Sequence, residues 1–94
     1  MTYLDETADA IRASVPDGVD VPPDARDLFL AYAVLLRAKG PAVTASDVHD
    51  AWVAWMLTRD GEHPALQPFE QLADDVRALD EPFRQAILAA AGAR

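Results

Sequence analysis

Apolar residues recur at helical spacing along nearly the whole chain, and proline, glycine and aspartate mark the breaks between stripes. Leu4, Ala8, Ile11 and Val15 form the first stripe and predict a helix over 3–14. Thr2 stands at the capping position, and Asp5 and Glu6 suit the positive end of the helix dipole. A connector over 16–23 follows, carrying Asp17-Gly18 and Pro22-Pro23. The second helix is predicted from 24 to about 38, opened by Pro22-Pro23-Asp24 and closed by Gly40-Pro41. Over 28–36 it is apolar all round, which places it at the centre of the fold.

Thr44-Ala45-Ser46-Asp47 resembles a capping box and starts a third helix over 45–58. Val48, Ala51, Trp52, Trp55 and Arg59 fall near one face, with His49, Val53 and Met56 beside it, and Asp60-Gly61 ends the helix. Two prolines then shape the chain. Each disfavours helical backbone at the residue before it, so His63 and Gln67 are driven toward extended geometry, and neither Pro64 nor Pro68 has an N–H to donate. The expectation is an extended strap over 63–68, pinned beside Trp52 by Leu66 and Phe69. Pro68 suits the first turn of a short helix over 69–72. Leu72, Val76, Leu79, Phe83, Ile87 and Ala90 continue one stripe toward the C-terminus, with a bend expected before Pro82 and Asp80 as the new cap. No strand-like alternation occurs. The predicted class is all-α: a small bundle of four to five helices, one domain over 1–94, with an extended Pro-rich strap packed on the Trp-bearing helix.

Composition narrows the chemistry. There is no cysteine, which excludes a disulfide framework, a thiolate zinc site and a cysteine nucleophile. The formal charge of −8 argues against a nucleic acid polymer as partner, because that binding neutralises phosphates with clustered Lys and Arg. The longest apolar run stops at Asp27 and Arg37, far short of the roughly 20 residues that cross a bilayer, so no membrane partner is expected. No basic-then-apolar start follows Met1, and the expected location is cytoplasmic.

His49 and His63, with Asp50, Asp60 and Glu62 nearby in sequence, invite a metal reading, but no pair of ligands has the one-turn spacing of H-E-x-x-H. Both histidines are read as structural, and neither a metal nor a cofactor is expected. Asp74-Asp75 and Asp80-Glu81 read as helix-start charges rather than an acid–base pair, and no serine or threonine lies in a nucleophile motif. The chain is therefore expected to be non-enzymatic. The sharper expectation is a ligand pocket between the third helix and the strap. Trp52, Trp55, His63 and Phe69 offer stacking surfaces for a planar ring, and Gln67 and Glu70 offer a polar edge. Arg37, Lys39 and Arg59 are the cations available for a phosphate.

The order His49-x-x-Trp52, then His63-Pro64-x-Leu66-x-Pro68-Phe69-x-x-Leu72, then Asp80-Glu81 before a last helix resembles the RyR domain, the repeat of ryanodine receptors and of small bacterial and phage proteins. The likeness is strongest over 44–91. Two departures stand beside it: Arg59-Asp60-Gly61-Glu62 is a shorter and more acidic loop, and Asp80-Glu81 replaces an Asp-Arg pair. The resemblance implies a sensor or interaction module for an adenine-nucleotide-type ligand, and the pocket expected from the residues, with His49 added to its candidates, is where that ligand would bind. The rival expectation is an interaction module that self-associates as a homodimer, or binds a partner helix, through Trp55 or Phe69.

Overall fold

Four helices of twelve to fourteen residues carry the fold: α1 (Tyr3–Ser14), α2 (Arg26–Lys39), α3 (Ala45–Leu57) and, after a single-turn α4 (Asp74–Arg77), α5 (Glu81–Gly92). The structure is a computed structural model describing residues 1–93, and among the described residues there is no strand. Short 3-10 turns at Gly40–Ala42, Phe69–Gln71 and Ala78–Asp80 link the elements.

Local chemistry explains the boundaries. Thr2 and Asp5 form a full capping box on α1: the Asp5 amide donates to Thr2 Oγ1 at 3.3 Å and the Thr2 amide donates to Asp5 Oδ2 at 2.9 Å. That backbone bond and the Arg26 guanidinium hold the Asp5 carboxyl down at about 2. Thr44 and Asp47 repeat the device on α3, with Lys39 also bonded to Asp47 at 2.9 Å. Thr44→Ala is expected to lose about 1 kcal/mol, seen as a melting midpoint lower by about 4–8 °C in a thermal scan followed by circular dichroism. An unchanged midpoint would show that the box does not hold α3 in place.

The second helix starts later than the sequence suggests. Asp24 takes a left-handed φ of 54°, a conformation aspartate tolerates better than most residues, so the helix begins at Arg26. Arg59 fixes that corner by donating to the Asp24 carbonyl at 2.6 Å. Gly40, also with φ 54°, closes the helix.

The core is one cluster in which α2 packs against α1, α3 and α5. Leu28, Phe29, Tyr32, Ala33 and Leu36 of α2 meet Ala8 and Ile11 of α1, Val48, Ala51 and Trp55 of α3, and Ala86, Ile87 and Ala90 of α5. The central position expected of α2 is observed, but the helix is not enclosed all round: Val34 is 53% exposed. With only three neighbouring helices, one stripe of α2 faces solvent.

The bend before Pro82 is also present, though by a different device. The chain enters α5 from the 3-10 turn, so Asp80 already has helical dihedrals of φ −81° and ψ −20°, and its side chain makes no capping bond. Its carboxylate is free to point elsewhere. The segment over 60–68 departs from an extended run as well. It winds through turns in which the His63 amide donates to the Asp60 carbonyl, Leu66 to His63 and Gln67 to Ala65. Proline removes donors at 64 and 68, but the neighbouring carbonyls still accept, and the loop bonds to itself.

Candidate functional site

A cavity of about 830 Å³ opens between the α1–α2 connector, the faces of α2 and α3, the loop after α3, and the α4–α5 joint. Its walls are mainly apolar and aromatic. Leu28 and Tyr32 come from α2, Trp52 from α3, and Leu72, Val76 and Phe83 from the C-terminal elements. Its polar groups are few: Asp20 at the connector, His49 on α3, His63 and Gln67 on the loop, Gln71 after it, and Asp80 at the joint.

His49 holds the site together. Its ring is 3% exposed, an uncommon burial for histidine, and lies nearly parallel to the Trp52 indole with centroids 5.6 Å apart. Nε2 is 2.7 Å from the Gln67 carbonyl, which can only accept, so Nε2 carries a proton and donates it. Nδ1 faces Asp80 Oδ2 at 3.6 Å, outside hydrogen-bonding distance. One imidazole thus contacts both the loop and the joint. His63 has the complementary arrangement: its Nδ1 accepts the Ala65 amide at 3.0 Å, and its ring meets the Trp52 indole edge-on at 5.0 Å.

Asp80 is the electrostatic anomaly of the site. Its side chain is 13% exposed and makes no hydrogen bond among the described residues. Burial pushes its carboxyl up to about 6, with the charge of His49 acting in the opposite direction. Tyr32, 1% exposed, also lines the cavity, and its hydroxyl is pushed well above the ordinary phenol range by burial and by the Asp80 charge. The sign of the stability effect follows. A carboxyl whose native value exceeds its unfolded one binds its proton more tightly when folded, so its stabilising share is complete below about 4 and is lost as pH rises through about 6. The shift corresponds to roughly 2–3 kcal/mol. Asp80→Asn is therefore expected to gain stability over the native chain between pH 4 and 7, measured as the difference in urea unfolding free energy across that range. A difference that is flat with pH would remove the assignment of a strained carboxylate.

Of the residues singled out from sequence, His49, Trp52, His63 and Gln67 gather on this cavity. The others do not. Trp55 is 7% exposed and sits in the core, its indole N–H buried without a partner among the described residues and the Arg59 guanidinium 4.2 Å over its ring. Phe69 packs near His49 at 6.1 Å, with Arg77 over its ring, and Glu70 is exposed beside it. Arg37 lies over Tyr3 at the far side of α2, 4.7 Å from that ring. Lys39 is committed to Asp47. The expected convergence of Arg37, Lys39 and Arg59 on one concavity is not observed, because each has an aromatic face or an anion closer to its own backbone.

Tyr32, Phe83, Asp80 and Asp20 are among the lining residues that the sequence reading did not assign to a site. Tyr32 had a visible signal, being the one polar tip inside an apolar run. Asp80 was masked by its position before a proline-containing helix, where a capping role is the ordinary explanation. Among the described residues no three His, Asp or Glu side chains form a metal-sized group, and no helix is long and apolar enough to cross a membrane.

A family model described as a domain of unknown function, DUF7701, matches residues 2–92, and the chain belongs to that family. This corrects the resemblance to the RyR domain: the match covers almost the whole chain and is to a different family. No curated protein and no solved structure matches the chain.

Proposed function

We propose that this chain is a non-enzymatic module that binds a small ligand in the cavity beside Trp52, acting in the cytoplasm. The observation that carries the proposal is the cavity itself: about 830 Å³ is a ligand-sized volume, and few convergent polar groups on apolar walls are what ligand sites have. We read the 63–69 segment as a strap that keeps one wall in place through the Gln67 carbonyl and the Trp52–His63 contact. A planar ring stacked against Trp52 is the part of the nucleotide expectation that the lining favours. A phosphate finds little support, since no Lys or Arg is among the lining residues.

A fragment screen by two-dimensional NMR on isotope-labelled protein tests the reading. Planar aromatic fragments are expected to shift the Trp52 indole and the amides of residues 63–67, and Trp52→Ala is expected to weaken those hits by about tenfold. Failure of every fragment to perturb cavity residues would remove the proposal. Self-association is the rival reading. Trp55 is buried, Phe69 is half-buried, and Leu79, 67% exposed beside the cavity, is a further apolar candidate for it. A concentration-dependent dimer lost in Leu79→Ser, with the fragments inert, would favour that reading.

A further inference from the structure

We propose that the ligand is a small organic cation, a protonated amine on an apolar or aryl body, with Asp80 as its counter-ion and Trp52, Tyr32 and Phe83 as its aromatic walls. This rests on the reading of the cavity as a ligand site and names the chemical class that site takes.

Charge at the site is one-sided. Asp20 and Asp80 line the cavity, and every Lys and Arg among the described residues is engaged away from it. Arg12 lies over Phe29, Arg26 binds Asp5 and Asp9, and Arg37 lies over Tyr3. Lys39 binds Asp47, Arg59 lies over Trp55, Arg77 binds Asp74, and Arg84 binds Glu81 and the Val43 carbonyl. An anion entering the cavity meets carboxylates and π faces. A cation meets the negative faces of aromatic rings and a carboxylate without a hydrogen bond, both of which attract it.

Two further observations point to a ligand group rather than to packing. Tyr32 is 1% exposed, lines the cavity, and makes no side-chain hydrogen bond among the described residues, so its hydroxyl is open to a partner in the cavity. Asp80 is nearly buried with only His49 Nδ1 near it, at 3.6 Å. His49 is committed through Nε2 to the Gln67 carbonyl, and its Nδ1 stands too far from Asp80 to complete a hydrogen bond. An ammonium supplies the missing donors to both oxygen groups.

The titratable groups around Asp80 are His49 from α3, Tyr32 from α2, Asp20 from the connector and His63 from the loop; Glu81, next in the chain, is turned to Arg84 and Gln85. Of these, Asp20 and Asp80 are the carboxylates, and Asp80 is the one that stands beside His49 and Tyr32. Binding of a cation should therefore weaken as pH falls through about 6.

The test uses three probes of matched shape on the full chain: 2-phenylethylammonium, neutral 2-phenylethanol and anionic phenylacetate, titrated by NMR against native protein and Asp80→Asn. The ammonium is expected to bind about tenfold more tightly than the alcohol at pH 7, to lose that preference at pH 5, and to lose it at both values in Asp80→Asn. Asn has the shape of Asp, and the Asp80 carboxylate makes no hydrogen bond among the described residues for the substitution to break, so the fold is expected to be kept. Equal or tighter binding of the alcohol or the anion at the cavity residues overturns the cation assignment while the cavity reading stands. No shift at the cavity with any probe overturns both.

Discussion

Leu36→Ala is expected to lower stability by about 2–5 kcal/mol, enough to move the melting midpoint down by at least about 10 °C or to abolish a cooperative transition. Leu36 is 1% exposed on α2, the helix that meets α1, α3 and α5, so the space left by truncation cannot be filled by movement of a single neighbour. A chain of 94 residues has a small margin, roughly 5–15 kcal/mol in all, and this one change removes a large part of it. Val34 on the same helix is the control. At 53% exposure, Val34→Ala is expected to change stability by less than about 0.5 kcal/mol. Comparable losses from the two substitutions would mean that α2 is surrounded on all sides.

That pair of residues also shows where sequence reading reaches its limit. Helix boundaries on α1 and α3 were legible because their caps are chemical: Thr2 with Asp5, and Thr44 with Asp47, each satisfy two amides through a fixed three-residue spacing. The apolar stripe told equally well that α2 is central. It could not tell which of Val34 and Leu36 faces water, since both lie in an unbroken apolar run and only the number of neighbouring helices decides.

The site was legible in part for similar reasons. His49, Trp52, His63 and Gln67 fall together because they sit on one helix face and on a loop that must return across it. Arg37 and Arg59 could not be placed from sequence, as their long side chains choose partners within reach after folding: the ring of Tyr3, the ring of Trp55 and the Asp24 carbonyl. Asp80 was the hardest. A carboxylate before a helix is normally a cap, and only the 3-10 entry into α5 turns it toward the interior.

His49 is where the fold and the proposed site depend on the same atoms, and two substitutions separate its contributions. His49→Ala removes the ring that stacks on Trp52, the donor to the Gln67 carbonyl and the partner of Asp80, and is expected to cost about 2–4 kcal/mol. His49→Phe keeps the ring and its stacking but loses both nitrogens, so the cost is expected to fall to about 1 kcal/mol, the share of one part-buried hydrogen bond. The second readout is the Asp80 carboxyl, followed by carbon-detected NMR across pH. His49 is the one influence that lowers it against burial, so His49→Phe should move its midpoint upward from about 6. An upward shift with a small stability loss assigns to the imidazole an electrostatic role on top of a packing one. A midpoint that stays put, or drops, would mean that Asp80 answers to solvent entering the cavity and not to the ring 3.6 Å away.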